Sequence, residues 1–428
     1  MSHYKPYPEY KETSIEWIEP VPKHWEIIPI KRFTKLRTER TSDANENVTY
    51  IGLEDIESGS GKYAPTEGNS RQSDSSTVGV FSKGQILYGK LRPYLRKAFI
   101  ADFDGVCSTE FLVLQPDKIL PELLQSWLLT SDVTQKIEST CEGAKMPRAD
   151  WEGIGSIPMP LPPVEEQIAI RNSTQAETAR IDSLITKKTR FIELLKEKRQ
   201  ALITHAVTKG LNPGAKMKDS DVDWIGEVPE HWEVISGNRL FSESKQLAFE
   251  KDQHLSATQK YGVIPLEEFQ ELESRRVTQA VKNLEKRKHA NINDFVISMR
   301  SFQGGIERVK ANGCVRSSYV VLIPTEAAHV GYFSYLFKSV TYIQGLQATS
   351  MFIRDGQDLS YNNFRQVKVP CPSHSEQALI ADYLDKAIKS LDALLTKTQQ
   401  SIDLLKERRS AFITAAVTGQ IDLRGEPA

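Results

Sequence analysis

The chain has 428 residues, 39% of them hydrophobic, and a formal net charge of −1. That length predicts two to four packed domains, and the balanced charge excludes the strongly basic profile of a free-standing nucleic-acid binder. No run of about 18 apolar residues exists, so no membrane span is expected. The opening "MSHYKPYPEYKETS" lacks the apolar core of a signal peptide. Cys107, Cys141, Cys314 and Cys371 are scattered, without a Cys-x-x-Cys pair, which argues against a zinc site or a disulfide framework and for a cytoplasmic setting.

In chain order, a short motif, "WIEPVPKHWEII", opens at Trp17. Strand-like runs follow, "GQILYG" and "EFLVLQP", then a helical run, "LPELLQSWLL". A proline step, "IPMPLPP", leads into a stretch from Val164 to Val207 without Pro or Gly. At about 1.5 Å per residue such a helix is about 65 Å long, which favours a paired rod over a core helix. "TKGLNPGAKMKDSD" reads as a flexible connector. The order then repeats. The repeat comprises "WIGEVPEHWEVI", the strands "DFVISM" and "YVVLIP", the helical run "VGYFSYLFKSV", the step "VKVPCPS" and a second long helix.

The repeat is close to exact in spacing. Trp17 and Trp224 stand 207 apart, Gly105 and Gly313 stand 208 apart, and Glu166-Gln167 and Glu376-Gln377 stand 210 apart. An offset that drifts so little means one unit copied whole. Apolar residues recur in the first helix at Ile181, Leu184, Ile185, Phe191, Ile192, Leu195 and Leu202, and all but one of the positions 210 further on are apolar. This spacing of three and four predicts a heptad-like stripe, with the copies packed antiparallel. Because the Trp motif follows helix one directly, symmetry places the first motif where helix two ends. The chain is expected to be α+β, pseudo-two-fold symmetric and circularly arranged.

The frame repeats better than what it holds. "YGKLRPYLRKAF" has only "SMRSFQGGIERV" as its positional counterpart. A matched frame around dissimilar heads suggests two targets read at a fixed separation, as two-fold DNA-binding proteins read half-sites. Between Phe81 and Ile100 there are five basic residues and no acid; the second copy is basic across 275–288. The candidate DNA contacts are Lys90, Arg92 and Arg96 after an apolar strand, Lys145 and Arg148 in "GAKMPRADW", and Arg300, Arg308, Arg316 and Arg354 in the second copy.

The motifs "PVPKHWEIIPIK", "FSKGQILYGKLRP", "IPMPLPPVEEQIAI", "SEQALIADYLD" and the paired "LLKEKR" and "LLKERR" resemble the specificity subunits of Type I restriction-modification enzymes. The resemblance covers almost the whole chain. It implies two α/β target recognition domains separated by two long antiparallel coiled-coil helices. The first domain is expected at 1–160 and its spacer helix at 161–210. A linker with the repeat motif occupies 211–232, the second domain 233–370 and the second spacer 371–428. It further implies a bipartite double-stranded DNA site, two methyltransferase subunits and restriction/translocase subunits as partners. S-adenosylmethionine, ATP and Mg are then expected in those partners and no cofactor in this chain.

The residues themselves assign no active site. The Asn/Asp-Pro-Pro-aromatic motif of an adenine methyltransferase is missing, "LPPV" being the nearest match, and there is no phosphate-cradling loop. His24 and His231 recur in the repeat without an acidic or Cys ligand set visible beside them, so packing or capping is the expected role. The rival to DNA recognition is an assembly scaffold that binds proteins only.

Overall fold

The computed structural model describes residues 4–42, 48–66, 77–141, 146–274, 286–349 and 360–425. The chain divides into two compact units, Met1–Lys188 with Gln400–Ala428, and Thr189–Gln399. Each unit therefore holds one globular head and half of each long helix. No helix among the described residues is long and apolar enough to cross a membrane.

In the first unit the strands Thr34–Arg37, Phe111–Pro116, Ile86–Gly89 and Ala98–Ile100 form an antiparallel sheet in that order. "ILYG" is apolar throughout because both of its faces are covered. Ile86 and Tyr88 belong to the core with Trp127 and Phe33, while Leu87 faces a second core with Phe81 and Phe99. The helix Pro121–Leu128 buries Leu123, Leu124 and Trp127 in the first of these cores. The proline step becomes a strand, Pro158–Leu161, paired only with Glu26–Pro29. A two-stranded ribbon tolerates residues that lack an N–H.

The second unit repeats this plan with Phe241–Ser244, Val320–Pro324, Phe295–Ile297 and Glu307–Arg308. Ile86 faces Leu114 and Ile100, just as Phe295 faces Leu322 and Arg308, so the two sheets share one register. The core here is more aromatic. Phe241 lies edge-on to Phe333 and Phe295, with ring centroids 5.0 and 5.6 Å away, the geometry that ring quadrupoles favour.

The long helices, Val164–Lys209 and His374–Val417, are unbroken. In the first unit Ile170 shares a core with Phe412, Ala416 and Val417, and Asp182 pairs with Arg409 at 3.0 Å. In the second, Ile203 and Val207 share a core with Ile380 and Leu384, and Arg199 pairs with Asp392 at 3.1 Å. Within each unit the two helix segments thus run antiparallel. The apolar stripe is less buried than its spacing implies. Ile181 and Leu195 are covered, but Leu184 and Phe191 are 38% and 42% exposed. The stripe also contains the adjacent pairs Leu184-Ile185 and Phe191-Ile192, which make it wider than the seam between two helices, so its margins stay open. A buried Glu177 fills part of the seam instead, held by Arg408 at 2.8 Å.

The start of each long helix is fixed by a buried glutamine. Gln167 Oε1 accepts from the Leu120 N–H at 2.9 Å, and its Nε2 donates to the Lys118 and Pro162 carbonyls. Gln377 repeats this with the His329 N–H at 2.8 Å and the Ala327 and Pro372 carbonyls. The neighbouring glutamates receive the recurring histidines. His24 Nε2 lies 2.6 Å from Glu166, and His231 Nε2 lies 3.0 Å from Glu376. The sequence reading found no acid beside these histidines because each partner is more than 140 residues away.

Each helix ends on a glycine with positive φ, Gly210 and Gly419, packed on the motif tryptophans Trp232 and Trp25. The stretch after Gly210 is not a free connector: Met217–Asp219 pairs with Glu227–Pro229, as Tyr10–Lys11 pairs with Val21–Pro22. Turn-forming composition marked a change of direction there rather than looseness. The ends of the chain are neighbours, with the Asp422 N–H donating to the Lys5 carbonyl at 2.8 Å.

The joints differ in one respect. The Trp25 indole donates to Glu166 at 2.8 Å, and the Tyr7 hydroxyl to the same carboxylate at 3.1 Å. Burial and that carboxylate push the Tyr7 hydroxyl well above its usual range, so it remains a donor. The Trp232 indole N–H is buried without a partner among the described residues. Trp25→Phe and Trp232→Phe leave similar voids, but only the first removes a bond to a charged group. Urea unfolding is expected to show W25F less stable than W232F by about 1.5–3 kcal/mol.

A second titratable contact lies in the second head. His289, 8% exposed on the strand Lys288–Ala290, places Nδ1 2.8 Å from Asp252 and Nε2 3.0 Å from Asn291. Burial opposes its charge, but the bonds to Asp252 and Asn291 outweigh that and hold its pKa above the ordinary value. A raised folded pKa stabilises fully below the unfolded value, about 6.5, and the gain is lost as pH rises through the folded one. Amide exchange at 288–290 and 313–315, corrected for intrinsic rates, is expected to accelerate as pH rises above about 6.5, and His289→Gln to flatten that dependence.

Candidate nucleic-acid interface

The strand Ile86–Gly89 leaves its sheet into a basic segment that two neighbours hold from either side. The Lys90 N–H donates to the Glu110 carbonyl at 2.9 Å, and the Lys90 carbonyl accepts from the Ala149 N–H. The Arg92 N–H donates to the Pro147 carbonyl, and Leu91 bridges Arg148 in antiparallel fashion. Three separated stretches of sequence thus bring Lys90, Arg92 and Arg148 to one end of the sheet. Arg92 and Arg148 are exposed and Lys90 is half-buried.

Arg92 and Arg96 flank the turn Pro93–Leu95, and both have left-handed backbone, with φ of 54° and 48°. That conformation is costly for a side chain with a Cβ and marks a segment held by its surroundings. At the tip, Tyr94 is 48% exposed. Arg96 turns inward: its guanidinium reaches the Leu129 carbonyl and lies over Gly59. Lys145 lies outside the described residues.

In the second head the shared register puts Met299 and Arg300 where Lys90 and Leu91 stand in the first. Arg300 is exposed at the start of the short helix Ser301–Gly304, and Met299 is 60% exposed. Arg316, also exposed, follows the strand Gly313–Val315 directly. Neither arginine side chain has a hydrogen bond or ion pair among the described residues. Arg308 is committed within the head, with Nε and Nη2 both donating to Asn293 Oδ1 at 3.1 and 2.6 Å. Arg354 lies outside the described residues, as do Arg275, Arg276 and Lys282 of the second basic run.

Equivalent ends of equivalent sheets therefore carry Lys90, Arg92 and Arg148 in one unit and Arg300 and Arg316 in the other. Sequence reasoning missed one member of this surface. Glu110 takes Arg148 Nη2 at 2.6 Å in the middle of the basic set. It lies 38 residues from its partner, in the turn just before the strand Phe111–Pro116, so nothing local marks it.

Residues 229–404 match the Type I restriction modification DNA specificity domain. Over 218 residues, 51% of this chain and 46% of the relative, the sequence is 25% identical to the Type I restriction enzyme EcoDI specificity subunit of Escherichia coli. It is 24% identical over 277 residues, 62% of this chain and 60% of the relative, to the putative type I restriction enzyme MjaX specificity subunit of Methanocaldococcus jannaschii. The chain spans about half the length of the curated relatives it matches. A chain from a structural study of complex assembly and conformational transition in the type I R-M system matches with a TM-score of 0.72 at 20% identity, covering 94% of this chain and 99% of that one. The HsdS subunit from Thermoanaerobacter tengcongensis matches with a TM-score of 0.54 at 19% identity, over 94% and 98% of the two chains. At these identities the structures establish the fold alone, a duplicated α+β plan with long helices; by the domain match over residues 229–404 and by the named relatives, the chain is similar to the specificity subunits of Type I restriction-modification enzymes.

Proposed function

We propose that this chain is the DNA-reading, non-catalytic subunit of a Type I restriction-modification complex, and that each head reads one half of a bipartite duplex site. The observation that carries the reading is the pair of equivalent sheet ends, alike in frame and both basic, but built from different residues. Backbone phosphates are met by such side chains regardless of sequence, and base edges are discriminated by which ones stand where.

A second observation supports docking of two copies of one partner, the methyltransferase subunit. In the first unit a cavity of about 610 Å³ opens between Trp17, Trp127 and the second long helix, whose Glu407, Ser410, Ala411, Thr414, Ala415 and Thr418 line it. In the second unit a groove of about 510 Å³ is lined by Glu197, Gln200, Ala201, Thr204, His205 and Thr208. These are the same six helix positions, each 210 residues earlier. Paired grooves at equivalent helix positions, sharing Glu, Ala and two Thr, suit two copies of one partner. Methyl transfer, with S-adenosylmethionine, and ATP- and Mg-dependent restriction are assigned to those partners, with the restriction/translocase subunits joining the same complex.

Filter binding of the full chain to duplex DNA across a salt series tests the surface. Alanine at Lys90, Arg92, Arg148, Arg300 or Arg316 is expected to flatten the slope of log affinity against log salt by about 0.9 where that residue meets a phosphate. Alanine at Arg96 or Arg308, which donate inward, is expected to loosen the head instead. Unchanged slopes for all five outward residues would remove this face from the DNA reading.

The helices are proposed to set the unspecified gap between the half-sites. Inserting four residues near Glu193 adds about 6 Å of helix and roughly preserves the phase of its stripe. At about 3.4 Å per base pair, the expected product is a modified site whose gap is one to two base pairs longer, with both halves unchanged. Sequencing the modified DNA of a host carrying the variant with its partner subunits reads this directly; a folded, active variant that kept the original spacing would refute the ruler.

A further inference from the structure

We infer that Glu110 is a positioning residue for base reading by the first head: it fixes the Arg148 guanidinium so that one complete two-donor edge faces the DNA, suited to the O6 and N7 acceptors of a guanine. The inference rests on the DNA-reading role proposed above. Exposed ion pairs are usually loose and contribute little, but both partners here are pinned to one segment. The Glu110 carbonyl holds the Lys90 N–H, and Arg148 bridges Leu91, the next residue. Glu110 Oε1 takes a single N–H, from Arg148 Nη2 at 2.6 Å, while Oε2 is buried without a hydrogen-bond partner among the described residues.

The donor arithmetic follows from the guanidinium itself. Its five N–H groups form two forked edges, Nε with Nη2 and Nη1 with Nη2, and Nη2 contributes one hydrogen to each. A carboxylate oxygen that holds one Nη2 hydrogen spoils one fork and leaves the other whole. Arg148 has no other hydrogen bond among the described residues, and its side chain is 59% exposed, so the intact fork is available to a bidentate acceptor pair. The register places Ser318 where Glu110 stands, so the second head lacks the device and only one half-site should depend on it.

The test uses the full-length chain as wild type, Glu110→Gln, Arg148→Ala and the double variant. Each is put through binding selection from a randomised duplex library and a salt titration on non-specific duplex. Wild type is expected to select a motif with a guanine in one half that R148A no longer prefers. E110Q should lose preference at that guanine by about tenfold or more and keep every other position. Its non-specific affinity should hold or rise, because one negative charge has gone. The double variant should match R148A, since Glu110 acts only through Arg148. The inference is overturned if E110Q keeps the guanine that R148A loses, or if no guanine responds to R148A. It is equally overturned if E110Q erodes all positions together with non-specific binding, which marks a purely structural role. Failure of wild type to bind any duplex would instead bring down the DNA-reading role, and this inference with it.

Discussion

Each head is tied to its long helix by one buried amide. Gln167 and Gln377 satisfy a free N–H at the start of a head helix and two carbonyls at once, and a buried amide has few other ways to meet its bonding needs. The helix therefore leaves the head in one direction. The adjacent Glu166 and Glu376 carry the same register to the histidines of the Trp motifs, and the glycines that end the helices pack on the tryptophans of those motifs. The placement of the sheets, and of the basic loops at their ends, inherits whatever precision these few bonds provide.

Much of this plan is legible in the amino-acid order because duplication converts spacing into evidence. A constant offset between Trp17 and Trp224 or between Glu166 and Glu376 reports architecture without any need to know strand pairing. The same comparison pointed to the pairing of the termini. Other features stayed hidden for physical reasons. The exposure of Leu184 and Phe191 depends on how many neighbours a helix has, which periodicity does not encode. Strand pairing at Met217–Asp219 depends on a partner beyond the turn, whereas turn composition reports only local backbone preference.

The candidate surface was legible to a lesser degree. Basic residues after an apolar strand are a local signal, and Lys90 and Arg92 stand where that signal placed them. Which arginine turns inward is not local: Arg96 meets a carbonyl and Arg308 an asparagine, and both contacts arise from tertiary folding. Glu110 is the sharpest case, because an acid at the entry to an apolar strand reads as incidental until its partner from a distant loop is beside it.

Arg92 and Arg96 carry one more implication. A left-handed backbone costs a residue with a Cβ about 1–3 kcal/mol, whereas glycine occupies it freely. Selection for thermal robustness alone would drift Arg92 toward glycine and strip the turn of its outward guanidinium, whereas the inward bond of Arg96 to the Leu129 carbonyl offsets the strain at its own position. A laboratory screen for heat resistance and one for target discrimination would thus pull this segment in opposite directions. Its tension makes the turn a place where robustness is exchanged for information.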